Sequence, residues 1–158
     1  MQPQFKAKSN STSDWLYGSL LYLHGIPYVV PDDGDLSNLD SYRVEEDTIC
    51  EHTGLYNHGE HDIWEHDIVD EGGQLYEVRK EYDCPGGGWA CSGFILRGID
   101  VSDFISFEDS IDDYTNEISV DIVGNVFDDD IEKLQEEAEK KEEERAAAEK
   151  AWLDDFNR

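Results

Sequence analysis

The sequence predicts a mainly β domain followed by one long, charged C-terminal α-helix. From residue 14 to about residue 127, short apolar or alternating runs are separated by clusters of turn-forming residues, which is typical of β-strands. From residue 129 onward the chain consists almost entirely of strong helix formers. The change between the two patterns is abrupt, so we place a structural boundary there.

Seven strands are predicted, each bounded by glycine, proline, asparagine or aspartate turns. Two of them flank Glu71-Gly72-Gly73, which predicts a β-hairpin. The stretch Val101–Ile111 is compatible with a strand or with a short helix. In order, the predicted strands are Trp15–Leu23, Ile26–Val30, Asp47–His52, Asp67–Val69, Leu75–Glu81, Gly93–Leu96 and Glu117–Val126.

The predicted helix begins after Asp128-Asp129-Asp130, whose carboxylates suit a helix N-terminus. A helix over residues 129–156 would be about 42 Å long. Its middle has no apolar stripe, so we expect it to be solvated. The apolar residues lie at its ends: Ile131 and Leu134 at the start, and Trp152, Leu153 and Phe156 at the finish. The finish is either a solvated, fraying end or a docking or homodimer contact.

Three regions follow from these patterns. Residues 1–13 are expected to be a flexible N-terminal segment, 14–128 the acidic β domain and 129–158 the charged helix. Three cysteines, an odd number, argue against a disulfide framework and predict reduced thiols. The longest apolar run is too short to cross a bilayer, and the N-terminus lacks a signal-peptide pattern. We therefore expect a cytoplasmic protein with no membrane partner.

Negative charge is the dominant compositional feature. The chain has 39 acidic against 12 basic residues, a formal net charge of −27. Residues 31–128 alone hold 26 acids and four bases, a net charge of −22. A protein that grips nucleic acid needs basic side chains to displace counterions from phosphates. We therefore do not expect this protein to bind nucleic acid directly.

Three segments in order resemble the YopX family of small phage and prophage proteins. They are "DWLYGSL" at 14–20, "HTGLYNHGEHDIWEHDIV" at 52–69 and "DIVGNVFDDD" at 121–130. In the second segment His66 stands where the family usually has glycine. The resemblance implies a mainly β fold with a small SH3-like barrel element and a bacterial host cytoplasm. It implies little about activity.

No catalytic or cofactor motif appears. The chain has no Walker A motif, no dinucleotide Gly-x-Gly-x-x-Gly after a strand and no Gly-x-Ser-x-Gly. Four histidines, His52, His58, His61 and His66, follow Cys50 closely, but neither Cys-x-x-Cys nor His-Glu-x-x-His spacing occurs. We therefore predict a protein that is not an enzyme and has no metal or cofactor, and keep metal binding as a second alternative.

The density of charge suggests a partner. A compact domain of about 100 residues is roughly 34 Å across, and duplex DNA of that length carries about 20 charges at one per about 1.7 Å. The net charge of residues 31–128, which is −22, is close to the charge of that DNA segment. The leading hypothesis is a DNA mimic that inhibits a basic host nuclease of a restriction or CRISPR system. The predicted contacts are Asp32, Asp33, Asp35, Asp100, Asp103, Glu108, Asp109, Asp112 and Asp113.

Two other hypotheses remain. In the first, the acidity serves solubility alone, and the helix end at Trp152, Leu153 and Phe156 is the contact of an interaction or assembly module, or of a homodimer. The second is the metal-binding protein introduced above. The sequence does not name the partner in any of the three.

Overall fold

The computed structural model describes residues 4–57, 61–81, 93–99, 104–106, 111–112, 117–118 and 120–157. Two short 3-10 helices, Leu36–Tyr42 and Glu46–Thr48, precede the single long helix α1, Ile131–Phe156. The strands in these ranges are β1 (Phe5–Lys8), β2 (Trp15–Leu23), β3 (Ile26–Val30), β4 (Cys50–Asn57), β5 (His61–Trp64), β6 (Asp67–Glu71), β7 (Gln74–Glu81), β8 (Gly93–Gly98), β9 (Phe104–Ser106), β10 (Ile111–Asp112), β11 (Glu117–Ile118) and β12 (Asp121–Asn125).

The strands form two sheets. The first has the order β10-β11-β4-β1-β2-β3, with β5 also paired to β4, and the second has the order β12-β6-β7-β8-β9. Pairing is antiparallel except between β11 and β4. The mainly β class with a C-terminal helix is confirmed. In the described part of the chain the strands make two sheets, with no closed barrel among them.

Several predicted elements are confirmed at both ends. Strands β2 and β3 have the predicted bounds, and β6 and β7 form the predicted hairpin, with Glu71 opposite Gln74. The predicted strand Glu117–Val126 is instead two strands, β11 and β12. The undecided stretch Val101–Ile111 contains β9. Strand β5 was not predicted.

The expected flexible segment 1–13 is wrong for residues 5–8. These residues form β1, which lies between β2 and β4 in the first sheet. Ala7 is fully buried and Lys6 is only 6% exposed. The burial of Lys6 depends on contacts with distant parts of the chain, such as Asp67, which no local pattern encodes.

The core lies between the two sheets. One cluster joins Leu55 and Ile63 of the first sheet to Val69, Val78 and Leu96 of the second. Along β6 and β7 the neighbouring residues point to the opposite face of the second sheet, because side chains alternate along a strand. The second sheet therefore has one face against the first sheet and another face free to receive the helix.

Helix α1 covers that other face with its first two turns. Leu134 and Ala138 pack against Ile68 of β6 and Leu75 of β7. Asp130 caps the helix, its carboxylate accepting from the backbone N–H groups of Glu132 and Lys133. Every described residue from 139 onward is exposed. The helix is therefore anchored at its N-terminal end and exposed along the rest of its length.

Gly18 of β2 marks a close approach of two backbone segments. We expect Gly18→Ala to destabilise the protein by about 1–3 kcal/mol, because a Cβ there would overlap the carbonyl of Val30 and lie 2.9 Å from Pro31 Cα. Urea denaturation measures the loss. Ser19→Ala is the control, since Ser19 is the exposed neighbour of Gly18 on the same strand. A loss no larger than that of the control would contradict the close approach.

Candidate binding surfaces

The turn after β3 holds one of the two predicted acidic clusters. Asp32, Asp33 and Asp35, here called the acidic turn, are all exposed. Asp35 also caps the first 3-10 helix by accepting from the backbone N–H of Ser37 at 2.9 Å and from its hydroxyl at 2.7 Å. These hydrogen bonds lower the pKa of Asp35. The acidic turn therefore presents three carboxylates to solvent.

The second predicted cluster is not placed. Asp100, Asp103, Glu108, Asp109 and Asp113 lie outside the described residues, and Asp112 is described only as a backbone member of β10. The structure therefore brings together the acidic turn alone from the predicted contact set.

The helix end carries the predicted apolar residues on its surface. Trp152 is 63%, Leu153 44% and Phe156 74% exposed. The rings of Trp152 and Phe156 stack with centroids 5.6 Å apart and planes 16° apart. These three residues, here called the helix-end patch, pack against no described part of the domain.

Two lysines of the β domain form ion pairs between the two sheets. Lys6 of β1 approaches Asp67 of β6, with Nζ and Oδ1 3.8 Å apart, and both side chains are more than nine-tenths buried. Lys80 of β7 pairs with Glu51 of β4 at 2.6 Å. Each pair joins the first sheet to the second. These two lysines therefore help to hold the two sheets together, whereas Arg43 and Arg79 are exposed.

A third tie connects the first sheet to the segment before the helix. Asp128 receives an ion pair from Lys8, a hydrogen bond from Trp15 Nε1 at 2.7 Å and one from Asn125 Nδ2 at 3.1 Å. Partial burial raises the pKa of Asp128, but these contacts outweigh it and lower the pKa to about 2. The ring of Phe127 packs edge-on against Trp15. This segment therefore fixes where α1 begins.

A pocket of about 440 Å³ opens where the two sheets meet. Its lining includes the Lys6–Asp67 pair, the aromatic rings of Tyr17 and Trp64, and the amide of Asn57. Tyr17 and Trp64 meet edge-on with centroids 5.7 Å apart. The volume lies within the range typical of small-molecule sites.

The buried carboxylate of this pocket has an unusual acidity. Burial raises the pKa of Asp67 to about 6, although Lys6 and the backbone N–H of Trp64 both favour the ionised form. That N–H donates to Asp67 Oδ2 at 2.9 Å. Taking the carboxylate out of water therefore costs more than its partners recover.

His66 and Cys50 have structural partners. His66 lies 2.9 Å from Glu77 through Nδ1, and this hydrogen bond raises the pKa of His66. Burial raises the pKa of the Cys50 thiol to about 12, which disfavours the thiolate that a metal ligand or nucleophile needs. Within the described ranges, no three His, Cys, Asp or Glu residues are arranged to hold a metal ion. His58 lies outside those ranges.

Sequence reasoning considered His61 of this pocket as a candidate metal ligand and assigned no site role to the other lining residues. Lys6 was assigned to a flexible segment, and Tyr17 and Trp64 were considered only as parts of the family resemblance. One signal was available: lysines alternating with Phe5 and Ala7 are typical of a strand with two different faces. The contacts that form the pocket join residues up to 61 positions apart, such as Lys6 and Asp67, and no local pattern encodes them.

Comparison with protein-family models, curated proteins and solved structures finds no match to this chain. The resemblance to the YopX family therefore stays a prediction. No helix in the described part of the chain combines the length and apolar character needed to cross a membrane. Function is therefore argued from the surfaces themselves.

Asp67 is expected to make the fold more stable in mild acid. A carboxyl whose pKa is raised on folding, here to about 6, adds stability below that pKa and loses it as the pH rises through it. Between about pH 7 and pH 5 the gain through Asp67 should be about 1 kcal/mol. Urea unfolding of the wild type and of Asp67→Asn at both pH values measures it, because the variant lacks this contribution.

The hydrogen bond to Glu77 raises the pKa of His66, which also favours the folded state at low pH. Both proteins retain His66 and the charge of Lys6, so the difference between their pH responses isolates Asp67. Equal responses of the two proteins to pH would contradict the assignment.

Proposed function

We propose that this protein is a non-enzymatic acidic inhibitor, encoded by a phage or prophage, that occupies the basic nucleic-acid-binding surface of a host defence nuclease. The observation that supports this most is the contrast between three lysines held in ion pairs and the exposed carboxylates of the acidic turn. Lys6, Lys8 and Lys80 pair with carboxylates between structural elements, whereas Asp32 and Asp33 make no ion pair within the described residues. The surface is thus left negative.

Solubility alone does not require this arrangement. A net charge of about 2–8 in magnitude suffices for a small domain, and the far larger excess here, −27, repels itself in the compact state. A strongly basic partner offsets that repulsion and is drawn to the acidic surface rapidly. The exposed carboxylates of the acidic turn would take the place of phosphates.

The test begins with capture of partners from a bacterial lysate at low and at high salt. We expect a basic nuclease to be retained at low salt and released at high salt, because screening weakens contacts between exposed charges. The captured protein should then lose its labelled duplex DNA when the inhibitor is added, as followed by fluorescence anisotropy. Binding that resists salt and leaves the DNA bound would rule out mimicry.

Neutralising the acidic turn tests which carboxylates matter. The triple variant Asp32→Asn, Asp33→Asn, Asp35→Asn should weaken binding to the partner by about 1–2 kcal/mol, roughly tenfold. The matched control removes three exposed charges from the helix instead, through Glu136→Gln, Glu137→Gln and Glu139→Gln. Equal weakening by the two variants would mean that net charge, and not the acidic turn, attracts the partner.

The helix-end patch favours a second candidate function, an interaction or assembly module. Trp152 and Phe156 expose large rings that contact each other rather than the domain, and aromatic side chains of this kind dominate protein interfaces. The double variant Trp152→Ala, Phe156→Ala should fold normally, since both residues are exposed. If it loses a salt-resistant partner, or converts a dimer to a monomer in light scattering, the module is supported in place of the mimic.

A further inference from the structure

The pocket between the two sheets has a buried inner lining that no ligand reaches. The side chains of Lys6 and Asp67 are more than nine-tenths buried there, and Trp64 is 5% exposed. Lys6 Nζ lies 4.5 Å from the ring centre of Trp15 and 5.4 Å from that of Trp64. These groups cover one another, so they support the pocket and do not bind its occupant.

The outer lining of the same pocket is open to solvent. Tyr17 is 45% exposed, and the side chain of Asp62 is 42% exposed. Both line the pocket of about 440 Å³. A molecule that enters the pocket therefore meets an aromatic ring and a carboxylate.

A chain of direct contacts connects this ring to this carboxylate. Tyr17 packs edge-on against Trp64, with ring centroids 5.7 Å apart. The other contact of Trp64 is the ring of His52, at 4.8 Å between centroids. His52 Nε2 in turn lies 3.2 Å from Asp62 Oδ1. The buried rings of His52 and Trp64 therefore hold the two exposed groups in place.

The electrostatic potential in the pocket favours a cation. Asp67 offsets the charge of Lys6, whereas Asp62 adds a further negative charge to the outer lining. Burial raises the pKa of Tyr17, and the carboxylates of Asp67, Asp128 and Asp62 raise it further. Carboxylates that disfavour ionisation of a phenol also attract a positive group to its ring. An anion would be repelled by the same charges in a chain of net charge −27.

The shape of the outer lining favours one kind of cation. A guanidinium group is planar, stacks on an aromatic ring and donates to a carboxylate through several N–H groups at once. An ammonium group is compact and strongly hydrated, and it has no plane to stack. Ring and carboxylate in one pocket therefore suit arginine better than lysine.

We infer that this pocket receives an arginine side chain of a partner protein, with its guanidinium against the ring of Tyr17 and paired with Asp62. The inference deepens the proposed function and rests on it for the basic partner. The acidic turn attracts that partner from a distance. The pocket adds one anchoring contact, and arginine is common among the residues that dominate interfaces.

The experiment titrates N-acetyl-arginine amide, which resembles an arginine within a chain, into the full-length protein by NMR. We expect saturable binding at one site. N-acetyl-lysine amide should bind at least about threefold more weakly, because it cannot stack. Free arginine should also bind more weakly than the amide, since its carboxylate is repelled by Asp62 and Asp67. This titration needs no partner, so its failure is distinct from a failure to capture a nuclease from lysate.

Variants of the ring test the stacking contact. Tyr17→Ala should weaken binding of the arginine probe about fivefold, whereas Tyr17→Phe, which keeps the ring, should retain it. Tyr22→Ala is the matched control, since Tyr22 lies on the same strand with a similar exposure of 48% but does not line the pocket.

Variants of the carboxylate test the ion pair. Asp62→Asn should weaken binding of the arginine probe about threefold. Asp47→Asn removes an equal charge from an exposed residue that does not line the pocket, and it should leave binding unchanged. Urea unfolding of each variant confirms that it is folded.

The inference is overturned by any of three results. The first is the absence of saturable binding of N-acetyl-arginine amide. The second is tighter binding of N-acetyl-lysine amide or of free arginine. The third is equal weakening by a variant and its control, whether Tyr17→Ala and Tyr22→Ala or Asp62→Asn and Asp47→Asn.

Discussion

The buried ammonium of Lys6 is the contact on which the arrangement of the two sheets depends. It lies on β1 in the first sheet, over the rings of Trp15 and Trp64, and faces Asp67 of the second sheet. In a chain of net charge −27, the carboxylates of facing strands repel one another unless a cation lies between them. Lys8 and Lys80 form two further ion pairs, with Asp128 and Glu51. These three lysines are therefore located where repulsion between carboxylates would otherwise be strongest.

This placement of cations also shapes the outer surface. Each lysine that pairs inside the fold leaves one fewer cation to neutralise the exposed acids, so the acidic turn and the exposed part of α1 stay negative. The helix reinforces this pattern because only Leu134 and Ala138 are buried along it. Beyond them it carries its charges, and finally the helix-end patch, away from the sheets. The pairing of these lysines inside the fold thus stabilises the fold and also leaves its exterior acidic.

Local sequence patterns were sufficient for some elements and not for others. The bounds of β2 and β3, the β6–β7 hairpin and the helix start at Asp130 depend on alternation, turn residues and capping, all of which are local. Strand β1 and the pocket depend on contacts between residues far apart in sequence. The apolar residues of the helix-end patch could be read from the sequence. Their exposure could not, because it depends on the direction in which α1 leaves the sheet.

His66 shows how a tertiary contact can offset a local cost. It follows Glu65 in the tight turn between β5 and β6 and has a φ of 70°, in the left-handed region that favours glycine. The backbone N–H of His66 donates to Val78 O at 2.7 Å, and its ring lies 2.9 Å from Glu77. Glycine would relieve the backbone strain but would lose the ring contact that ties the turn to β7. Since this turn leads directly into Asp67, the same contact also holds the carboxylate that faces Lys6.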